Sequence, residues 1–142
     1  MSFSIYRALA CVAAAALVLQ ACAPPPKPAS TTRLYAADFV GAAKACTVPK
    51  LATPAPDKEV SATMTVGNDG GWCAITVDNN GQPFDAGLLT ARPAHGHAYV
   101  HTVGDATRID YTPNAGYAGP DSFAVRLLPT GAVVRAEVTV AK

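Results

Sequence analysis

The sequence predicts an all-β domain, a sandwich of about seven short strands stapled by one disulfide. Apolar and polar residues alternate with a period of two in successive stretches, and residues typical of turns separate these stretches. No amphipathic stretch of helical length competes with this pattern. Short strands at this regular spacing are typical of a β-sandwich.

The chain begins with the pattern of a secretory signal peptide. Arg7 precedes an unbroken apolar run, Ala8–Leu19, and the small residue Ala21 lies just before Cys22. An apolar run of this length is too short to span a bilayer as a mature helix. We therefore expect residues 1–21 to be removed during export.

The residues Leu19-Gln20-Ala21-Cys22 resemble a bacterial lipoprotein lipobox. In that pattern, a leucine three residues ahead and a small residue just ahead present a cysteine for lipidation and cleavage; Gln20 stands where small residues are commoner. The resemblance implies a covalent lipid on Cys22, such as palmitate, and attachment to the cell envelope. Since Ala23 rather than an aspartate follows the cysteine, it implies the outer membrane, facing the periplasm.

A proline-rich tether follows the cysteine, over residues 22–32. Proline removes backbone donors and fixes φ, so the ten residues after Cys22 are predicted to be extended and semi-rigid. At about 3.1 Å per residue they would reach roughly 30 Å from the membrane. The sandwich domain is predicted over residues 33–142.

The charge balance of the mature chain limits the classes of partner that we expect. Residues 22–142 number 121, which suits a single domain with one core. Removal of the signal takes away Arg7 alone, which leaves ten basic and ten acidic residues and a formal net charge of zero. Because a nucleic-acid surface requires clustered basic residues, no nucleic-acid partner is expected.

The first two strands of the sandwich are predicted on either side of a short turn. Val60–Val66 alternates apolar and polar residues, Asn68–Gly71 has hairpin-turn chemistry, and Trp72–Val77 forms the next strand. In that strand Cys73 and Ile75 share one face. After a second turn, Asp78–Gly81, five more strands are predicted, at Gly87–Arg92, Gly96–Val103, Thr107–Thr112, Ser122–Leu128 and Ala132–Val140.

The residues before these strands have a less regular pattern. Residues 33–46 are compatible with either a short helix or an irregular N-terminal strand. Three prolines, Pro49, Pro54 and Pro56, then interrupt regular structure up to residue 57.

Two of the four cysteines remain for the folded domain. Cys11 leaves with the signal peptide and Cys22 would carry the lipid, which leaves Cys46 and Cys73. An even pair in an oxidising compartment predicts a structural disulfide, worth roughly 3–4 kcal/mol in the chain-entropy model. Two separate buried thiols and a catalytic thiol are the alternatives, and the second lacks any CxxC-type redox motif.

The stretch Asp110–Phe123 resembles the tail of bacterial Ig-like and cadherin-like repeats. Those repeats read Y-T-P-x-x-G-[FY]-x-G-x-D-S-F, and Pro93-Ala94-His95-Gly96 is similar to their P-x-H-G turn. The resemblance covers roughly Leu88–Val140 and implies an Ig-like sandwich. The matching residues are Tyr111, Pro113, Gly116, Tyr117, Gly119, Asp121 and Phe123.

The chemistry of these residues indicates a structural loop motif. Gly116 and Gly119 permit backbone conformations closed to other residues, and Asp121 can accept hydrogen bonds from loop N–H groups. Tyr117 and Phe123 can anchor the motif on the core. A ligand-facing role for Tyr117 and a calcium site are the alternatives; the scattered aspartates do not form the dense oxygen set that calcium requires.

Three histidines lie within seven residues: His95, His97 and His101. On a strand, side chains two residues apart share a face at about 6.6 Å, so His95 and His97 could share zinc or copper with a third ligand from elsewhere. His101 lies too far along the strand to join them. The alternative is that all three are ordinary turn and strand residues.

No catalytic motif accompanies these features. The sequence has no GxSxG, no HExxH and no convincing pair of carboxylates, so we expect no enzyme activity. The predicted function is a lipid-anchored, non-enzymatic interaction or structural module for a protein or cell-wall partner. A periplasmic metal-binding protein using His95 and His97 is the alternative.

Overall fold

The computed structural model describes residues 35–142, which form one short 3₁₀ helix and eight strands. The predicted signal peptide, the lipidation site Cys22 and the tether lie outside these residues. The 3₁₀ helix is Ala36–Phe39. The strands are β1 (Cys46–Thr47), β2 (Glu59–Gly67), β3 (Cys73–Val77), β4 (Ala86–Ala91), β5 (Gly96–Val103), β6 (Ala106–Pro113), β7 (Gly119–Leu128) and β8 (Val133–Ala141).

The strands form two sheets, which confirms the predicted all-β sandwich. A five-stranded sheet has the order β1-β2-β8-β7-β4, and a three-stranded sheet has the order β3-β6-β5. Strands β2 and β8 are parallel, and the other pairs are antiparallel. All seven predicted strands are present, as β2 to β8, with ends within three residues of the prediction.

The sequence of the N-terminal region was compatible with a short helix or a strand, and the structure contains both. Residues 36–39 form the 3₁₀ helix, and Cys46–Thr47 forms β1, which pairs with the end of β2. A two-residue strand is too short to show an alternating pattern, so the sequence offered no signal for it.

The predicted hairpin between β2 and β3 is wrong. β2 pairs with β1 and β8, whereas β3 pairs with β6 in the other sheet. Residues 68–71 therefore cross from one sheet to the other. Turn residues such as Gly70 (φ 86°) indicate a reversal of the chain, but they do not determine whether the flanking strands pair with each other or face each other across the core.

The core lies between the sheets and is built by the alternation in each strand. In β2 every second residue from Ala62 is buried, and in β3 Cys73, Ile75 and Val77 are buried. The largest fully buried side chains are Tyr111, Phe123, Met64, Ile75, Ile109 and Leu127.

The disulfide between Cys46 and Cys73 is present and joins the two sheets. It links β1 of the larger sheet to β3 of the smaller one, with 5.3 Å between the Cα atoms. Cys73 is fully buried, so the bridge ties the N-terminal segment directly to a core strand.

Candidate functional site

Asp121 is the centre of a hydrogen-bond network at one end of the sandwich. Its buried carboxylate accepts the backbone N–H groups of Ala94, His95 and Ser122, each at 2.9 Å. It also accepts the hydroxyl of Tyr111 at 2.8 Å. Four donors therefore occupy this carboxylate, and the 94–95 turn is held against β6 and β7.

The network shifts the pKa values of the Asp121 and Tyr111 side chains. Burial acts to raise the pKa of Asp121, but the hydrogen bonds from His95, Ala94, Tyr111 and Ser122 together lower it below its usual value. Burial and the hydrogen bond to Asp121 raise the pKa of Tyr111. Asp121 is thus an ionised acceptor and Tyr111 a protonated donor, an arrangement that stabilises the fold.

The rest of the motif shapes the loop between β6 and β7. The Tyr117 hydroxyl donates to the carbonyl of Pro120 at 2.6 Å, and its ring stacks on His95 with 4.0 Å between centroids. Gly116 and Gly119 have φ values of 78° and 138°, a region that favours glycine. One face of the Tyr117 ring is therefore covered by His95.

Two further motif residues lie on the core side. Phe123 is buried and stacks with Tyr111 at a centroid distance of 5.8 Å. Pro113 ends β6, opposite Gly96. A Cβ at Gly96 would lie 2.5 Å from the Tyr111 ring, so this position of the turn requires glycine.

The three histidines have different surroundings. His95 lies in the turn against Tyr117, His97 is exposed in β5, and the His101 ring Nε2 lies 3.1 Å from Asp110 Oδ2. Within residues 35–142, no group of three or more His, Cys, Asp or Glu side chains is placed to hold a metal ion.

A polar cluster that the sequence analysis did not identify lies on the outer face of the three-stranded sheet. It consists of His101 in β5 and Arg108 and Asp110 in β6. Arg108 is bidentate to Asp110, with Nε 2.8 Å from Oδ1 and Nη2 3.0 Å from Oδ2. Both residues are less than a tenth exposed. Their i, i+2 spacing in a predicted strand was the available signal, because it places both side chains on one face.

The segment 35–43, here called the N-terminal strap, is bonded to residues of this face. Arg108 Nη1 donates to the carbonyl of Asp38, and Trp72 Nε1 donates to the carbonyl of Val40 at 3.0 Å. The Arg108 guanidinium also lies 4.0 Å from the centre of the Trp72 ring. Two backbone hydrogen bonds complete the attachment: the Trp72 N–H donates to the Gly41 carbonyl, and the Ala43 N–H donates to the Trp72 carbonyl.

The outer face also presents aromatic side chains to solvent. Tyr99, beside His101 with 4.9 Å between ring centroids, is 64% exposed. Phe39 of the strap is 59% exposed. The face thus combines exposed aromatic rings, which are enriched at binding interfaces, with the buried Arg108–Asp110 ion pair.

Fold and comparison together define the class of protein. The two-sheet architecture is an Ig-like β-sandwich, and the model of the bacterial Ig domain family matches residues 42–141. The chain belongs to this family, which confirms the Ig-like resemblance and extends it from the second half of the domain to all eight strands. No curated protein matches the chain.

The family assignment supports a coarse functional statement. Bacterial Ig-like domains are typically non-enzymatic surface or interaction modules of extracellular or surface proteins. In the part of the chain that is described, no helix is long and apolar enough to cross a membrane.

Proposed function

We propose that this chain is a lipid-anchored protein of the bacterial cell envelope whose Ig domain is a non-enzymatic module for binding a partner. The observation that carries the proposal is the order of its parts: an apolar export signal, a lipobox-like Leu19–Cys22, a proline-rich tether and a bacterial Ig domain. A lipid on Cys22 would attach the protein to the membrane, and the tether would hold the domain roughly 30 Å away from it.

The outer membrane, facing the periplasm, is the proposed location. Ala23 follows Cys22 where an aspartate would favour retention in the inner membrane of the lipoproteins that this sequence resembles. An oxidising compartment also suits the Cys46–Cys73 disulfide.

The outer face of the three-stranded sheet is the proposed partner surface. Tyr99 and Phe39 supply exposed aromatic area, and Arg108 is locked in place by Asp110 and Trp72. Exposed aromatic side chains lose little conformational entropy on binding, so Tyr99 and Phe39 are suited to anchor a protein or cell-wall partner. The buried Arg108 instead holds the strap that carries Phe39 against the sheet, through its hydrogen bond to the Asp38 carbonyl.

The anchor is tested by replacing Cys22 with alanine. The Cys22→Ala variant is expected to accumulate as an unprocessed or mislocalised precursor, while a conservative change in the tether, Ser30→Ala, should leave processing unchanged. Fractionation of envelopes and mass measurement of the N terminus give the result. Normal membrane attachment of Cys22→Ala would refute the lipoprotein assignment.

The partner surface is tested by crosslinking in cells. A photoreactive phenylalanine analogue at Tyr99 should capture a stoichiometric partner, whereas the same analogue at Thr139, exposed on the opposite sheet, should not. Equal capture from both positions, or none from Tyr99, would contradict this placement of the surface.

No observation in residues 35–142 favours the alternative of a metal-binding protein. The His95 ring is stacked on Tyr117, and no third ligand lies with His95 and His97 in a metal-binding group.

A further inference from the structure

The strand β5 forms a long open edge of the three-stranded sheet. In an antiparallel sheet, an edge strand directs half of its N–H and C=O groups away from its neighbour, where another strand can bind them. β5 has eight residues and pairs with β6 in an unbroken register, Gly96–Val103 opposite Ala106–Pro113. Within residues 35–142, no backbone hydrogen bond outside this pairing engages Gly96–Val103.

The other strand edges in the described part of the chain are short, irregular or attached to the N-terminal segment. β1 has two residues, and the pairing of β4 shifts register between Leu89 and Ala91. The strap forms a bridge from Ala42 to Trp72, immediately before β3, and the disulfide ties β3 to β1. β5 has none of the lysines, prolines or bulges that usually keep an edge from pairing. This edge is therefore open to another strand.

We propose that a second copy of this chain pairs with β5, antiparallel and around a two-fold axis. The two three-stranded sheets would then form one sheet of six strands. The inference goes beyond the proposed function, because it supplies a partner from the chain itself and leaves the outer faces of both domains side by side. It follows from the open edge, from the charges at its two ends and from the position of Tyr99.

The two ends of the open edge carry opposite charges. Arg92 lies at the start of β5, where it lines a cavity of about 250 Å³ together with His97. Asp85 lies at the end of β5, where it lines a cavity of about 280 Å³ together with Thr102. Neither Arg92 nor Asp85 has an ion-pair partner within residues 35–142.

Antiparallel pairing of two copies makes these charges complementary. The start of each β5 lies against the end of the other, so Arg92 of each copy is brought toward Asp85 of the second copy. A parallel pairing would instead bring like charges together. β5 itself contains no Asp, Glu, Lys or Arg, so no like charges oppose each other along the paired strands.

The alternating faces of β5 limit the register of this pairing. Residues directly opposite each other in antiparallel strands point to the same face, and residues 97, 99 and 101 share one face of β5. In the two-fold registers with the most pairs, Tyr99 therefore lies opposite Tyr99 or His101 of the second copy. Tyr99 is 64% exposed in the single chain, and cross-strand aromatic contacts would cover part of its ring.

The test is sedimentation equilibrium of the full chain in detergent, with the solvent density matched to the detergent. The wild type is expected to form a dimer whose fraction rises with protein concentration. Tyr99→Lys introduces a charge that is repeated across the paired edges, and it should abolish the dimer. The matched control Thr139→Lys adds the same charge at an exposed position of the interior strand β8 and should leave the dimer unchanged.

A charge reversal tests the antiparallel arrangement. Arg92→Glu turns the attraction at both ends of the pairing into repulsion and should weaken the dimer about tenfold, since each exposed charge pair contributes a few-fold. Addition of Asp85→Arg reverses the charges at both ends and should restore wild-type dimerisation. The two residues flank β4 at a separation of about 20 Å, so contact within one chain cannot explain this rescue.

Each outcome decides the inference. Loss of the dimer in Tyr99→Lys, with rescue of Arg92→Glu by Asp85→Arg, supports it. A wild type that is monomeric at all concentrations, a dimer that persists in Tyr99→Lys, or Arg92→Glu that dimerises as tightly as the wild type overturns it. The charge-reversal result decides even if Tyr99→Lys does not fold.

The crosslinking in cells at Tyr99 separates this inference from the proposed function by mass. A product of twice the mass of the chain supports pairing with a second copy. A product that contains only a different protein overturns the second copy as the occupant of the edge, while the proposed partner surface stands.

Discussion

Replacing Asp121 with alanine should destabilise the domain through the donors that the carboxylate now accepts. Four donors lose their acceptor, but they are not equally costly to leave unpaired. Ala94, His95 and Ser122 are exposed residues whose bonds to Asp121 are only partly buried, so water can replace part of what their N–H groups lose. Within residues 35–142, the hydroxyl of the fully buried Tyr111 has one other acceptor, the His95 carbonyl at 3.4 Å.

The expected loss of stability follows from this difference in burial among the donors. A buried donor left without its charged acceptor costs about 1–3 kcal/mol, and the three partly buried N–H groups add less. We therefore expect the free energy of unfolding to fall by about 2–3 kcal/mol. For a domain of this size that corresponds to a melting temperature lower by roughly 8–15 °C.

Chemical denaturation followed by circular dichroism measures this change, and two variants test its cause. Asp121→Ala combined with Tyr111→Phe should cost less than the sum of the single changes, because the second substitution removes the orphaned hydroxyl. The control Glu137→Ala removes an exposed carboxylate and should stay within about 0.5 kcal/mol of the wild type. An unchanged midpoint for Asp121→Ala would show that the carboxylate is merely solvated.

The pH dependence provides an independent check on the same carboxylate. The pKa of Asp121 is lower in the folded state than its ordinary value, so the ionised group stabilises the fold above the unfolded-state pKa of about 3.9. This contribution is lost as the pH falls through the folded-state pKa. The difference in melting temperature between wild type and Asp121→Asn should therefore shrink below about pH 4; a difference that is constant from pH 3 to 7 would contradict this account.

Two further predictions concern the attachment of the N-terminal segment. The double change Cys46→Ser and Cys73→Ser should lower the free energy of unfolding by roughly 3–4 kcal/mol in the chain-entropy model, and non-reducing peptide mapping of the wild type should find the two cysteines joined; two free thiols would refute the staple. Arg108→Leu removes the bidentate partner of the buried Asp110, which retains the His101 ring at 3.1 Å, and should cost about 3–5 kcal/mol, more than the same change at exposed Arg126. Equal denaturation midpoints for the two leucine variants would show that the Arg108 ion pair does not stabilise the fold.

The strands were the part of the fold most accessible from the sequence. Alternation in Val60–Val66 and Trp72–Val77 identified which side chains face the core, because a half-buried strand exposes every second residue. The Cys46–Cys73 bridge was also predictable: once Cys11 is assigned to the predicted signal peptide and Cys22 to the predicted lipidation site, one cysteine pair remains and has a single possible connection. The two-residue β1 and the strap were not, because neither is long enough to show a period.

The contacts of the loop motif around Asp121 were only partly predictable from local chemistry. The sequence indicated that Asp121 could accept loop N–H groups, and the structure identifies the turn at Ala94 and His95 as their source. It also adds Tyr111, which lies ten residues before Asp121 and meets it only because β6 and β7 belong to facing sheets. Such a contact has no signature in a linear pattern.

The sequence by itself determined the class of this protein, an all-β Ig-like domain. The alternating faces of the strands are a local property of the sequence, and the cysteine pair of the domain could be counted. Only the tertiary structure decided which strands pair, and it replaced the predicted β2–β3 hairpin with a crossing between sheets. It also assembled the polar cluster of His101, Arg108 and Asp110. The physical reason is that alternation specifies the direction in which a side chain points from its strand, whereas its neighbours depend on long-range packing of the two sheets.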